Sequence, residues 1–99
     1  MRIIDKNIER ITILCKQYKV KHLFVFGSVL TRKFNKKSDI DLIVDFEELD
    51  VYDYADNYFN LKAALEVVFN KKVDLLEEKA IRNPYLKQEI DSTKQLIYG

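Results

Sequence analysis

Residues 23–44 read LFVFGSVLTRKFNKKSDIDLIV, and the rest of the chain is arranged around them. An apolar run over residues 23–26 stops at Gly27-Ser28. A basic segment carrying Arg32, Lys33, Lys36 and Lys37 follows, and Ser38-Asp39-Ile40-Asp41 then opens a second apolar run over residues 42–44. Short apolar runs bounded by glycine and polar residues have the length of strands rather than helices. The sequence therefore predicts strands over residues 22–26 and 40–46, with a short helix or tight loop over residues 28–34 between them.

On the N-terminal side, Ile4, Ile8, Ile11, Cys15 and Tyr18 recur at steps of four, three, four and three. That spacing predicts one helix with a core-facing stripe. Asp5 suits its start, and Lys16, Lys19 and Lys21 suit its negative end. Cys15 belongs to the stripe and is expected to be inert. On the C-terminal side, Asp45, Glu47, Glu48, Asp50 and Asp53 read as a solvated turn. A helix is expected from about residue 53 to residue 70, with Ala55, Tyr58, Phe59, Leu61, Leu65, Val68 and Phe69 along it. Asp53 would cap its start, and Asn70 would close it in a left-handed conformation. Residues 72–76 read as a third strand and residues 95–98 as a short last one. Residues 79–90 are expected to be helical in part, with Pro84 near a first turn or in a break. The pattern is α/β (α+β): one domain over residues 1–99, a small mixed sheet flanked by helices.

Composition limits the function. The 17 basic and 16 acidic side chains leave a formal net charge of +1, so no general field draws the chain to nucleic acid or membranes. One cysteine and one histidine exclude an intrachain disulfide and any Cys/His metal cluster, leaving oxygen ligands. No apolar run nears the roughly 20 residues that span a bilayer. The N-terminus, MRIIDKNIER, carries charges where a signal peptide needs an apolar block. A cytoplasmic location is expected.

The acids are the chemically pointed feature. Side chains two apart on a strand share a face, with Cα atoms roughly 6.5–7 Å apart, so Asp39 and Asp41 can converge on a hard cation while Ile40 enters the core. Magnesium takes oxygen ligands at about 2.0–2.1 Å and shares them with substrate phosphates. Gly27 ends the preceding strand, where glycine permits a sharp turn and a close approach to a ligand. If Ser28 starts a helix, its hydroxyl and nearby amides can meet a phosphate. Asp74 is a third acid, set in the apolar run Val73-Asp74-Leu75-Leu76. A carboxylate there needs a partner. It is either salt-bridged to a lysine or joined with Asp39 and Asp41, where it could take a proton from an attacking hydroxyl.

Gly27-Ser28, ten intervening residues (29–38) and Asp39-x-Asp41 resemble the G-S-x10-D-x-D signature of the polymerase-β-like nucleotidyltransferases. Asp74 falls where that superfamily has its third acid. The chain looks most like the minimal nucleotidyltransferases, the antitoxin partners of HEPN toxins. The likeness runs over nearly the whole chain, including Asn83-Pro84-Tyr85-Leu86 through Glu89-Ile90. One departure is that relatives often carry arginine four positions after the motif glycine, where this chain has Thr31, with Arg32 next.

The resemblance implies a polymerase-β-like fold and transfer of AMP from ATP to a tyrosine of a partner HEPN toxin in a hetero-oligomer. It implies two Mg2+ ions, one held by Asp39, Asp41 and Asp74 and one by Asp39 and Asp41, with Gly27, Ser28 and Arg32 at the nucleotide. Two rivals remain. The same fold could neutralise a toxin by binding alone, or transfer a nucleotide to a small molecule, although relatives with that activity generally need a second domain to hold the acceptor.

The basic residues 32–37 could steer ATP or an acidic partner, or form a solvated loop; four charges alone would bind nucleic acid weakly, and none is expected to bind directly. Tyr58 and Phe59 lie on a helical stripe and are expected in the core, which leaves Tyr52 and Tyr54 as interface candidates. His22 has no acid beside it in sequence and reads as a packing or capping residue.

Overall fold

A computed structural model describes residues 2–27, 35 and 37–99. Its strands are β1 (Val20–Phe26), β2 (Ile40–Phe46), β3 (Val73–Glu77) and β4 (Gln95–Tyr98), and its helices α1 (Arg2–Lys6), α2 (Ile8–Gln17), α3 (Val51–Phe69) and α4 (Pro84–Thr93). The strands form one sheet in the order β3-β2-β1-β4. β1 is antiparallel to β2 and β4, whereas β2 is parallel to β3. Parallel neighbours need a crossover connection, and α3 supplies it.

Alternation along the strands separates two faces. Leu23 and Val25 of β1, Ile40, Leu42 and Val44 of β2, and Val73 and Leu75 of β3 enter one core with Ile4, Ile11 and Cys15 from the first two helices and Leu61, Leu65 and Phe69 from α3. The other face carries Phe24 and Phe26, then Asp41, Ile43 and Asp45, then Asp74 and Leu76, as the cross-strand pairs require. Val20 pairs with Phe46 and His22 with Asp45, so Lys21 is an extra residue. This bulge lets Val20 and Leu23 both reach the core. α4 follows a cap in which the Asn83 side chain accepts from the Tyr85 and Leu86 amides, with Pro84 in the first turn. Just past that helix, Lys94 Nζ sits 4.2 Å from the Phe24 ring centroid.

Several expectations about element ends are corrected. The single N-terminal helix is two, broken at Asn7, whose side chain donates back to the Ile3 carbonyl at 2.8 Å. Such local bonds compete with the helical ladder. Asp5 therefore lies within α1, and Ile8 is 36% exposed instead of joining the core. Asp50, not Asp53, caps α3, accepting from the Tyr52 amide at 3.0 Å. Asn70 does close that helix with φ 52°.

Phe59 is 62% exposed, against expectation. Tyr54 is half-buried, edge-to-face on Phe46 and bonded to Glu77, so it serves the fold; Tyr52 is exposed. β3 is an outer strand, and α3 covers its free side: Glu66 accepts from the Val73 amide at 3.0 Å, and the Tyr58 hydroxyl donates to the Leu75 carbonyl. Side chains placed this way shield main-chain groups that could otherwise recruit another strand.

Candidate active site

One end of the sheet gathers the end of β1 and the starts of β2 and β3. Phe26 pairs with Asp41, and Asp41 pairs in turn with Asp74. Neighbouring strands lie about 4.8 Å apart and directly paired residues share a face. Asp41 and Asp74 therefore stand side by side on the face away from the core, Asp41 half-buried and Asp74 exposed. Asp39 is exposed and lies one residue before β2 rather than inside the strand. Ile40 between them is fully buried, as the alternation requires.

Among the described residues, no three His, Cys, Asp or Glu side chains are gathered closely enough to hold a metal ion. The sheet register thus places Asp41 and Asp74 on paired positions, while the carboxylates of Asp39, Asp41 and Asp74 do not form a common cage. The donor chemistry itself is all oxygen, which suits a hard divalent cation such as magnesium. Among the described residues Asp74 enters no salt bridge, unlike Asp45, Glu78 and Asp91, which pair with His22 or Lys94. The Asp74 charge is felt by Tyr58, whose hydroxyl is pushed above its ordinary range by burial first, then by Asp74 and Glu77.

Gly27 has φ +77°, a region that favours glycine. A Cβ there would fall 2.5 Å from Asp41 Oδ2 and 3.3 Å from its Cγ. The missing side chain is what lets the Asp41 carboxylate lie against the main chain. Ser28 and Arg32, together with Thr31, Lys33 and Lys36, lie outside the described residues.

Sequence reasoning passed over Lys71. Its Nζ donates to the carbonyls of Asn35 at 2.9 Å and Ser38 at 3.1 Å. Main-chain acceptors leave no residue pattern, so nothing in the sequence marks this contact. His22 lies toward the far end of the sheet, with Nδ1 3.3 Å from Asp45 Oδ2 and its ring stacked on Phe24, in keeping with a packing role.

Comparison with known proteins bears on this geometry. Residues 9–99 match the family described as polymerase beta, nucleotidyltransferase. A candidate protein adenylyltransferase of Methanocaldococcus jannaschii is 40% identical over 86 residues, which cover 87% of this chain and 83% of that one. A solved structure of a candidate minimal nucleotidyltransferase superposes with a TM-score of 0.75 at 28% identity, covering 92% of this chain and 89% of the other. A chain from the complex of tri-AMPylated Shewanella oneidensis HEPN toxin with MNT antitoxin has the same fold, with a TM-score of 0.66 at 21% identity over 97% of this chain and 72% of that one.

Proposed function

This chain belongs to the polymerase β nucleotidyltransferase family, and from that premise we propose a protein adenylyltransferase acting as an antitoxin. AMP passes from ATP to a tyrosine hydroxyl of a HEPN-family toxin, which is thereby neutralised. The observation that carries this reading is the register pairing Asp41 with Asp74 beside Gly27. Support also comes from the M. jannaschii relative, named for protein adenylylation, and from the complex in which the HEPN toxin is AMPylated.

The transfer is an in-line displacement. The acceptor oxygen bonds to the α-phosphorus of ATP, the bond from that phosphorus to the bridging oxygen breaks, and pyrophosphate leaves. Asp74 takes the proton of the attacking hydroxyl. Asp39 and Asp41 would hold both magnesium ions and Asp74 one of them, which requires the three carboxylates to draw closer together than they stand. When bound, the ions supply charge neutralisation at the triphosphate and a more acidic acceptor hydroxyl. By the resemblance, Gly27, Ser28 and Arg32 would contact the nucleotide; of these, Gly27 alone lies among the described residues. The unit acts as one domain over residues 1–99, in the cytoplasm, in a hetero-oligomer with its toxin. No described helix is long and apolar enough to cross a membrane.

Incubation of the chain with magnesium, labelled ATP and the protein encoded beside it tests the reaction. Label should move to the partner with the wild type and not with the Asp39→Asn, Asp41→Asn double variant. Label transferred equally by both would exclude this site. Toxin neutralisation that persists in the double variant without label would assign the antitoxin effect to binding alone.

A further inference from the structure

Asp39 and Asp74 sit on different segments, and one side chain joins those segments. Lys71 follows the left-handed Asn70 that closes α3, and its amide is held by the Glu66 carbonyl at 3.3 Å. Its main chain is therefore fixed. Its ammonium crosses to the carbonyls of Asn35 and Ser38, which bracket a turn with its own bonds. In that turn the Ser38 amide donates to the Asn35 carbonyl at 3.0 Å, the Asn35 amide to Ser38 Oγ at 3.2 Å, and the Lys37 amide to Asn35 Oδ1 at 2.8 Å. The Ser38 carbonyl belongs to the peptide that leads into Asp39. Holding that carbonyl holds the peptide plane from which the Asp39 side chain springs. Two residues on, the Ile40 amide donates to the Lys72 carbonyl at 3.0 Å and starts the β2–β3 pairing.

We infer that Lys71 is a positioning residue: it clamps the turn before Asp39 to the start of the strand bearing Asp74, setting where the third carboxylate can meet the other two. The inference rests on the adenylyl-transfer site proposed above. Asp41 and Asp74 are fixed by strand register, whereas Asp39 precedes the ladder: the Ile40 amide bond to Lys72 holds the peptide after it, and the Lys71 contact holds the peptide before it. A charged donor bonded to two carbonyls is stronger than a neutral hydrogen bond, and a side chain that orients a ligand from behind commonly changes metal affinity tenfold or more when lost.

The test uses the full chain, isotopically labelled for NMR, as wild type, Lys71→Met and Lys71→Arg. Amide exchange reads the clamp. Lys71→Met should speed exchange at Ser38 and Ile40 about tenfold while Leu65, deep in α3, keeps its protection; Lys71→Arg should restore most of the protection. Titration with Mn2+, read as broadening at Asp41 and Asp74, should need roughly tenfold more ion in Lys71→Met. Unchanged exchange at Ser38 and Ile40, or acceleration shared equally by Leu65, would overturn the clamp. Faster exchange with an unchanged Mn2+ midpoint would make Lys71 a turn staple without bearing on the site, which also overturns the inference. If Mn2+ leaves Asp41 and Asp74 unbroadened even in the wild type, the functional reading fails, and the role assigned to Lys71 at the metal falls with it.

Discussion

At the scale of single residues, Gly27 and Asp41 depend on each other. The glycine adopts φ +77°, and its missing Cβ is the space into which Asp41 Oδ2 fits. Gly27→Ala should cost about 1–2 kcal/mol in urea unfolding, from the left-handed backbone alone. The AMP-transfer rate should fall further than that loss explains, by about a hundredfold, because displacing a reacting group by about 1 Å has effects of that size. A variant that loses stability but keeps its rate would detach Gly27 from the site. The sequence announces this pair, since Gly-Ser after an apolar run and Asp-x-Asp before the next one are unusual in combination. Asp74 is legible for another reason: a charge inside an apolar run demands an explanation. Lys71 is not legible, because one lysine among many looks alike until its carbonyl partners are placed.

At the scale of elements, the interiors of strands and helices follow from periodicity, while their ends follow from local bonds that periodicity does not report. The acidic run before α3 holds several carboxylates able to cap a helix; Asp50 does so, because its extended backbone (φ −60°, ψ 137°) aims its side chain at the Tyr52 amide. Asp50→Ala should cost about 1 kcal/mol of stability. Asp53→Ala, which removes only a favourable charge from the first turn, should cost roughly 0.3–0.5 kcal/mol. Equal losses in the two variants would contradict the cap assignment. The break between α1 and α2 escaped the sequence in the same way. The apolar stripe runs through Asn7 without interruption, and only the bond from Asn7 to the Ile3 carbonyl shows why Ile8 turns outward.

At the scale of the whole molecule, several groups hold their protons more tightly when the chain is folded. Burial pushes the Cys15 thiol from 9.0 up to about 12. Burial, then the bond to Glu77, raises Tyr54; burial, then Asp74 and Glu77, raises Tyr58. Burial alone would lower Lys94, but its hydrogen bonds to Asp91 and Glu78 outweigh it and leave the group raised. In each case the unfolded chain loses the proton first, so stability present at neutral pH must fall as pH rises. The decline should begin near the unfolded thiol value of 9.0 and steepen as tyrosine and lysine titrate. Each such proton contributes up to about 1.4 kcal/mol per pH unit. Urea unfolding across this range measures it, and Cys15→Ala should remove the earliest part of the slope; an identical slope in that variant would contradict the assignment.

The small mixed sheet flanked by helices was readable in advance because strand-length apolar runs alternate with helical ones. The closeness of Asp41 to Asp74 was one of two readings open for Asp74, and the register of β2 against β3 is what creates it. That closeness carries the functional claim, and Asp74→Asn tests it most directly, since the change keeps shape and removes the proposed base. Single-turnover transfer of AMP to the HEPN partner should slow by about a hundredfold or more, with thermal stability unchanged. A rate within about twofold of wild type, well short of the loss expected when a general base is removed, would contradict the account.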